Sequence, residues 1–183
     1  MKYSWKVSYA SRILRQDKLI VHATESVFGI AASVYSLKAI TEVKRVKARG
    51  SQKNFLLIVA NLEQALNLVK IDVPYREQII ESWPGHSTWI LPAAELAPPW
   101  LLDDNGCLGV RMTSHSQASE LCQRSGPLVS TSANISGNLP AVSLTQARKY
   151  FGKGIDYYLP GKLGANPRPS RIQNGVTGKL IRG

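Results

Sequence analysis

The sequence predicts a mixed α/β domain built on one twisted open sheet with flanking helices. Three observations point there. Short apolar runs alternate with amphipathic segments along the whole chain, capping residues precede several amphipathic segments, and no internal repeat or low-complexity linker interrupts them. The first amphipathic segment, about residues 6–16, places Val7, Ala10, Ile13 and Leu14 on one helical face. Residues 19–23 then form a short strand. Ser36 stands where it caps a helix running to about Lys47, with Leu37, Ile40, Val43 and Val46 turned inward and Gly50 just past its end. Residues 55–60 are continuously apolar, as a strand buried on both faces requires.

Asn61 and Gln64 resemble a capping box for a helix over 62–69, and Pro74 opens a helix over about 74–82. Residues 87–91 and 107–111 are strands around a proline-rich loop. A helix over 116–124 precedes a buried strand at 128–131. Ser143 and Gln146 frame a second capping box, and 155–159 is another strand. In the tail, Asn174-Gly175 is a turn signal between two short strands.

The length of 183 residues suits one domain with a sizeable core, and the composition, 44% hydrophobic and 19% charged, is that of a folded protein. The formal charge of +11 is unusual and favours a polyanionic partner. It is unevenly spread: residues 1–53 carry +8, residues 54–110 carry −5 and residues 111–183 carry +8. If the two basic segments meet, they form a basic concave cleft; otherwise the cations are a scattered solvated surface. The charged start shows no apolar leader, no run approaches a membrane span, and Cys107 and Cys122 form no metal-binding spacing. A cytoplasmic protein with no membrane partner and no resident metal is expected.

Several chemistries are absent. No P-loop, dinucleotide-binding glycine motif, zinc-protease motif or serine-hydrolase elbow occurs. His22, His86 and His115 are far apart in sequence and are expected to be surface or satisfied core residues. Four candidates are present. Lys44, Arg45, Lys47, Arg49 and Lys53 crowd the end of the second helix, either complementing its dipole or clamping phosphates. The run Ser130-Thr131-Ser132-Ala133-Asn134-Ile135-Ser136-Gly137 is a polar loop after a strand, where open sheets bind ligands. Thr24, Glu25 and Ser26 follow another strand. Arg111 ends a strand, where it suits a carboxylate or a structural ion pair.

In order, TESVFG at 24–29, KAR at 47–49 with Lys53, WPG at 83–85, GVR at 109–111, STSANISG at 130–137, PS at 169–170 and GKLIRG at 178–183 resemble the YrdC family in its stand-alone short form. The resemblance covers about residues 6–182, and one YrdC-like domain is expected over 6–183. It implies a twisted α/β fold with a basic concave cleft. It also implies synthesis of threonylcarbamoyl-AMP and pyrophosphate from L-threonine, bicarbonate and ATP, with magnesium carried by the ATP. The product serves tRNA modification through a downstream threonylcarbamoyl-transfer complex. By the same resemblance, Lys47 and Arg49 are catalytic. Lys47, Arg49, Lys53, Ser132, Asn134, Ser143 and Arg182 contact ATP, while Thr24, Arg111, Thr131 and Ser132 hold threonine. The chain departs from the family in having Ala23 and Gly50 where proline is usual. The competing expectation is a non-catalytic protein that binds tRNA or double-stranded RNA through its basic segments.

Overall fold

The computed structural model describes residues 5–48, 54–166 and 168–183. In chain order the elements are α1 (Trp5–Leu14), β1 (Ile20–Ala23), β2 (Phe28–Ser33), α2 (Leu37–Val46), β3 (Leu56–Val59), α3 (Leu62–Leu66), α4 (Arg76–Glu81) and β4 (Ser87–Pro92). They continue with β5 (Cys107–Met112), α5 (Ser116–Ser125), β6 (Leu128–Ser132), α6 (Leu144–Phe151), β7 (Tyr157–Tyr158), β8 (Arg171–Asn174) and β9 (Leu180–Arg182). Among the described residues nine strands form one sheet in the order β7-β1-β2-β6-β3-β5-β4-β8-β9. The sheet is mixed: β1–β7, β3–β5 and β4–β8 are parallel pairs, the rest antiparallel.

Strand alternation sends successive side chains to two separate cores. On one face Val7, Ala10, Ile13 and Leu14 of α1 pack with Ala118, Leu121 and Cys122 of α5 over Ile20, Ala31, Ile58 and Leu128. On the other, Val21, Ile30, Leu57, Val110 and Val129 meet Ile40 and Val43 of α2, Ile79 of α4 and Phe151 of α6. Three of the expected helix starts hold, whereas the helix expected to open at Pro74 begins at Arg76. The Ser36 Oγ accepts the Ala39 N–H at 3.1 Å, Asn61 Oδ1 accepts from Gln64 at 2.9 Å, and Ser143 Oγ accepts from Gln146 at 3.1 Å.

The structure differs from the sequence expectation in several places, one being the strand expected over 155–159, of which only Tyr157–Tyr158 pairs. Strand β2 was not expected, because its residues Phe-Gly-Ile-Ala-Ala-Ser lack the period-2 pattern of a half-buried strand. It pairs on both edges, with β1 and with β6, so nearly all its side chains are buried. Leu37 is 52% exposed rather than inward, since at the first turn of α2 it precedes the buried stripe of Ala39, Ile40 and Val43. Helix α3 stops at Leu66, short of residue 69; Val69 N–H still donates to the Ala65 carbonyl at 2.9 Å, but the Leu68 carbonyl and the Lys70 N–H turn to Ala94 and Pro92, bridging Val69 to Ala93. Gly50 lies outside the described residues; α2 is followed by Ala48 at φ 47°.

Removing the Ser36 cap leaves the Ala39 N–H without its buried partner. Ser36→Ala is expected to lower the unfolding free energy by about 1 kcal/mol, seen as a shifted urea midpoint at unchanged slope.

Candidate active site

Helices α1 and α5 cover only part of their sheet face. Where they end, the strands carry small or polar residues on that face: His22 on β1, Gly29 on β2, Ser130 and Ser132 on β6, Thr88 on β4. A cavity of about 590 Å³ opens there, bounded also by Leu56, Leu139, Pro140 and Val142. Its described lining includes Arg111 and Arg182 and no carboxylate. Ligand pockets in open sheets are built this way, with apolar walls and a few converging polar groups.

The two distant motifs meet at one corner. Lys47 is 2% exposed, and its ammonium donates to the Ser132 and Asn134 carbonyls, the latter at 2.8 Å, and to Asn134 Oδ1 at 3.2 Å. Its own carbonyl accepts the Ser136 N–H at 2.9 Å. Ser132 Oγ donates to Asn134 Oδ1 at 2.7 Å, and Asn134 Nδ2 donates to the Asn138 carbonyl. One buried charge thus shapes residues 132–136. It is satisfied by oxygen dipoles, which is what makes burial of an ammonium tolerable.

A second corner is ionic. Arg111 pairs with Glu25 at 3.0 Å, both side chains nearly buried, and Arg111 Nη1 lies 3.2 Å from His86 Nδ1. Glu25 Oε1 accepts from Thr113 Oγ1 at 2.6 Å and from the Ser114 N–H at 3.2 Å. Burial works against the Glu25 carboxylate, but Arg111 and the Thr113 bond outweigh it and hold its pKa below the ordinary value. On the far wall Arg182 donates twice to the Ser170 carbonyl, at 3.1 and 3.0 Å, and once to Ser170 Oγ. Ser170 Oγ is 3.0 Å from Thr88 Oγ1. Arg111 and Arg182 repel one another across this space. An anion between them relieves that repulsion.

The expected residues therefore fall into three groups. Thr24, Arg111, Thr131, Ser132 and Arg182 line the cavity, and Lys47 and Asn134 support its loop. The Thr24 hydroxyl is engaged in its own turn, donating to the Val27 carbonyl at 2.7 Å. By strand alternation Thr131 falls on the face opposite Ser130 and Ser132. Ser143 is not part of the lining; its hydroxyl caps α6. Arg49 and Lys53 lie outside the described residues. Sequence reasoning missed Thr88 and took His22 for a surface or satisfied core histidine; it placed Ser130 in the candidate polar loop and Ser170 in a family motif without giving either a role. Only the register of strands two or three places apart brings them together, and no local spacing encodes that.

These features define an α/β protein with a cationic cavity, its described lining free of carboxylates, on an uncovered stretch of sheet. Residues 12–182 match the Sua5/YciO/YrdC family, described as telomere recombination, and the chain belongs to that family. It is 40% identical over 181 residues to a threonylcarbamoyl-AMP synthase of Nitrosococcus oceani, covering 98% of each chain. It is 37% identical to the protein of that name in Pseudoalteromonas translucida, covering 97% of each. P. abyssi Sua5 complexed with L-threonine has a similar structure, with a TM-score of 0.85 and 27% identity over 93% of this chain. This chain spans about half of that one, 51%. E. coli YciO shares the fold, with a TM-score of 0.81 at 21% identity over 97% of this chain and 90% of that one.

His22 is fully buried, and desolvation, aided by His115 and opposed by Glu25, pulls its pKa from 6.5 to about 4. Between those values the unfolded chain takes up a proton that the native imidazole refuses, so stability falls as the pH drops. Glu25 adds to the fall below its ordinary 4.5, where the unfolded carboxyl protonates before the native one. Urea unfolding from pH 7.5 to pH 4 is expected to show this decline. In His22→Gln the part between about 6.5 and 4.5 flattens.

Proposed function

We propose that this protein is an L-threonylcarbamoyladenylate synthase, making threonylcarbamoyl-AMP and pyrophosphate from L-threonine, bicarbonate and ATP. The observation that carries the reading is the carboxylate-free described lining, with Arg111 and Arg182 turned to one cavity beside the Lys47-anchored loop. Near full-length likeness to proteins named threonylcarbamoyl-AMP synthase supports it.

The threonine amine adds to bicarbonate with loss of water, giving a carbamate. A carbamate oxygen then attacks the α-phosphorus as the bond to the bridging oxygen of pyrophosphate breaks. No protein nucleophile is consumed. The obstacle is the approach of two anions, which fixed cations lower by positioning and charge stabilisation. In this reading Arg111 receives the threonine carboxylate while Glu25 holds its guanidinium in place. Ser132 and Asn134 present the loop to the phosphates, and Lys47 keeps that loop in shape. Arg49, Lys53 and Arg182 add charge on the triphosphate, Thr24 completes the wall around threonine, and Thr131 contributes to it through its backbone. The Ser143 hydroxyl reaches ATP only if α6 gives up its cap. The described lining offers no carboxylate to hold magnesium, so the metal belongs to the ATP substrate and no step runs through it. The product is a mixed anhydride, reactive towards acyl acceptors. A threonylcarbamoyl-transfer complex acting on tRNA is the matching consumer, and the compartment is the cytoplasm. Among the described residues no helix is long and apolar enough to cross a membrane.

The test is pyrophosphate release with ATP, bicarbonate and each amino acid in turn. Release with L-threonine alone is expected. No release with any amino acid, together with steep salt-dependent RNA binding, overturns the reading in favour of a non-catalytic RNA-binding protein. Lys47→Met is expected to slow release by about 10²–10³. Calorimetric L-threonine binding without ATP persists in that variant, because the Glu25–Arg111 side of the cavity is untouched. Wild-type release from Lys47→Met would sink the assigned role of Lys47.

A further inference from the structure

We propose that His22 is a positioning residue: from beneath the cavity floor its imidazole fixes the Ser130 hydroxyl as a hydrogen-bond donor towards a substrate oxyanion. This rests on the function proposed above and assigns a role to a side chain that the reaction scheme leaves unused.

His22 belongs to β1 and Ser130 to β6, with β2 between them. Two side chains separated by a strand normally do not touch. Here His22 Nε2 lies 3.1 Å from Ser130 Oγ. The passage exists because His22 pairs with Gly29 on β2. A Cβ at position 29 would stand 3.0 Å from Ser130 Oγ and 3.3 Å from His22 Nε2, tighter than ordinary contact, so an added methyl pushes into the pair and glycine leaves it undisturbed. His22 itself is wholly buried, whereas Ser130 is part-exposed and lines the cavity.

The hydrogen bonding selects a tautomer. His22 Nδ1 makes no hydrogen bond. A buried N–H without an acceptor is rarer and costlier than a bare acceptor nitrogen, so the proton sits on Nε2 and is donated to Ser130 Oγ. One lone pair of Ser130 is thereby occupied. Its O–H finds no acceptor among the described residues and turns to the cavity, where the neighbouring Thr24 and Ser132 hydroxyls already donate to the Val27 carbonyl and Asn134 Oδ1. The imidazole stays neutral at physiological pH, since burial, helped by the nearby charges of His115 and Arg111, holds it well below its ordinary value against the opposing pull of Glu25 and the Ala23 backbone. A neutral ring orients a hydroxyl without placing a second buried charge beside Arg111. The oxyanion is either the threonine carboxylate or the bicarbonate that becomes the carbamate, and kinetics separate the two.

The experiment compares His22→Leu, His22→Gln, Ser130→Ala and the double variant His22→Leu/Ser130→Ala, using pyrophosphate release and calorimetric L-threonine binding without ATP. His22→Leu and Ser130→Ala are each expected to lose about tenfold or more in kcat/KM, the range of a hydrogen bond to a charged group. The double variant is expected to lose no more than Ser130→Ala, because the two residues act in series. His22→Gln keeps an N–H at the right reach and recovers most of the loss. A weakened L-threonine affinity in the binding assay assigns the oxyanion to the carboxylate. A raised bicarbonate KM with unchanged L-threonine affinity assigns it to bicarbonate. If His22→Leu fails to fold, Gly29→Ala carries the test by blocking the passage while leaving both partners, and the same loss is expected. Independent, additive losses overturn the proposal, as does wild-type kcat/KM in His22→Leu or in Gly29→Ala. If the wild type releases no pyrophosphate, the catalytic reading has failed. The same variants in the binding assay then still decide the role of His22, unchanged L-threonine affinity in all of them rejecting it.

Discussion

The Glu25–Arg111 ion pair is the constraint on which the rest of the site depends. It joins the turn between β1 and β2 to the end of β5, four places away across the sheet. Glu25 also receives the Thr113 hydroxyl and the Ser114 N–H ahead of α5, and its carbonyl takes the Asn166 N–H. Strand, turn and helix start are therefore indexed to one carboxylate, and the loop before β8 to the backbone of the same residue. Breaking such a pair from one side leaves the other charge buried and unpaired, which costs about 3–5 kcal/mol. Its tightness gives Arg111 one orientation. A guanidinium held by Glu25 on one edge and beside His86 on another presents its remaining donors to the cavity without having to be ordered by the ligand.

The opposite corner uses the same logic with different chemistry. Lys47 spends its charge on backbone dipoles and a side-chain amide instead of a carboxylate. That choice keeps the described cavity lining net positive. An acidic partner at this point would have held Lys47 as firmly but cancelled the field a polyanionic substrate needs. The +11 of the sequence thus has at least two uses at this site, one cation embedded as structure and two guanidinium groups displayed to the cavity.

Local signals made most of the fold legible in the sequence. Ser36, Asn61 and Ser143 announce their helices because a capping hydroxyl or amide acts within three residues, and the apolar run at 55–60 announces a central strand by composition alone. Strand β2 escaped because a strand paired on both edges and buried on both faces carries no alternation, and its Gly and Ala residues have no strand preference. The site was legible where a motif supplies its own chemistry, as at Arg111, Ser132 and Lys47. It was hidden where function depends on what is absent. Gly29 matters through the side chain it lacks, and His22 looks like an ordinary core histidine until the neighbouring strands are placed. Leu37 misled for the reverse reason: helical periodicity marks a face but not where the neighbouring sheet begins to cover it.

Lys47 and the carbonyls it holds are 85 and 87 residues apart. Contacts of that separation form only after the intervening chain has closed a long loop, and they are among the slower events of folding. A growing chain that has released α2 but not β6 from the ribosome has no loop for Lys47 to shape. The Lys47 corner is consequently a late acquisition, absent from partly synthesised or half-folded molecules. A formed Lys47 corner itself reports that the chain is synthesised to at least residue 134.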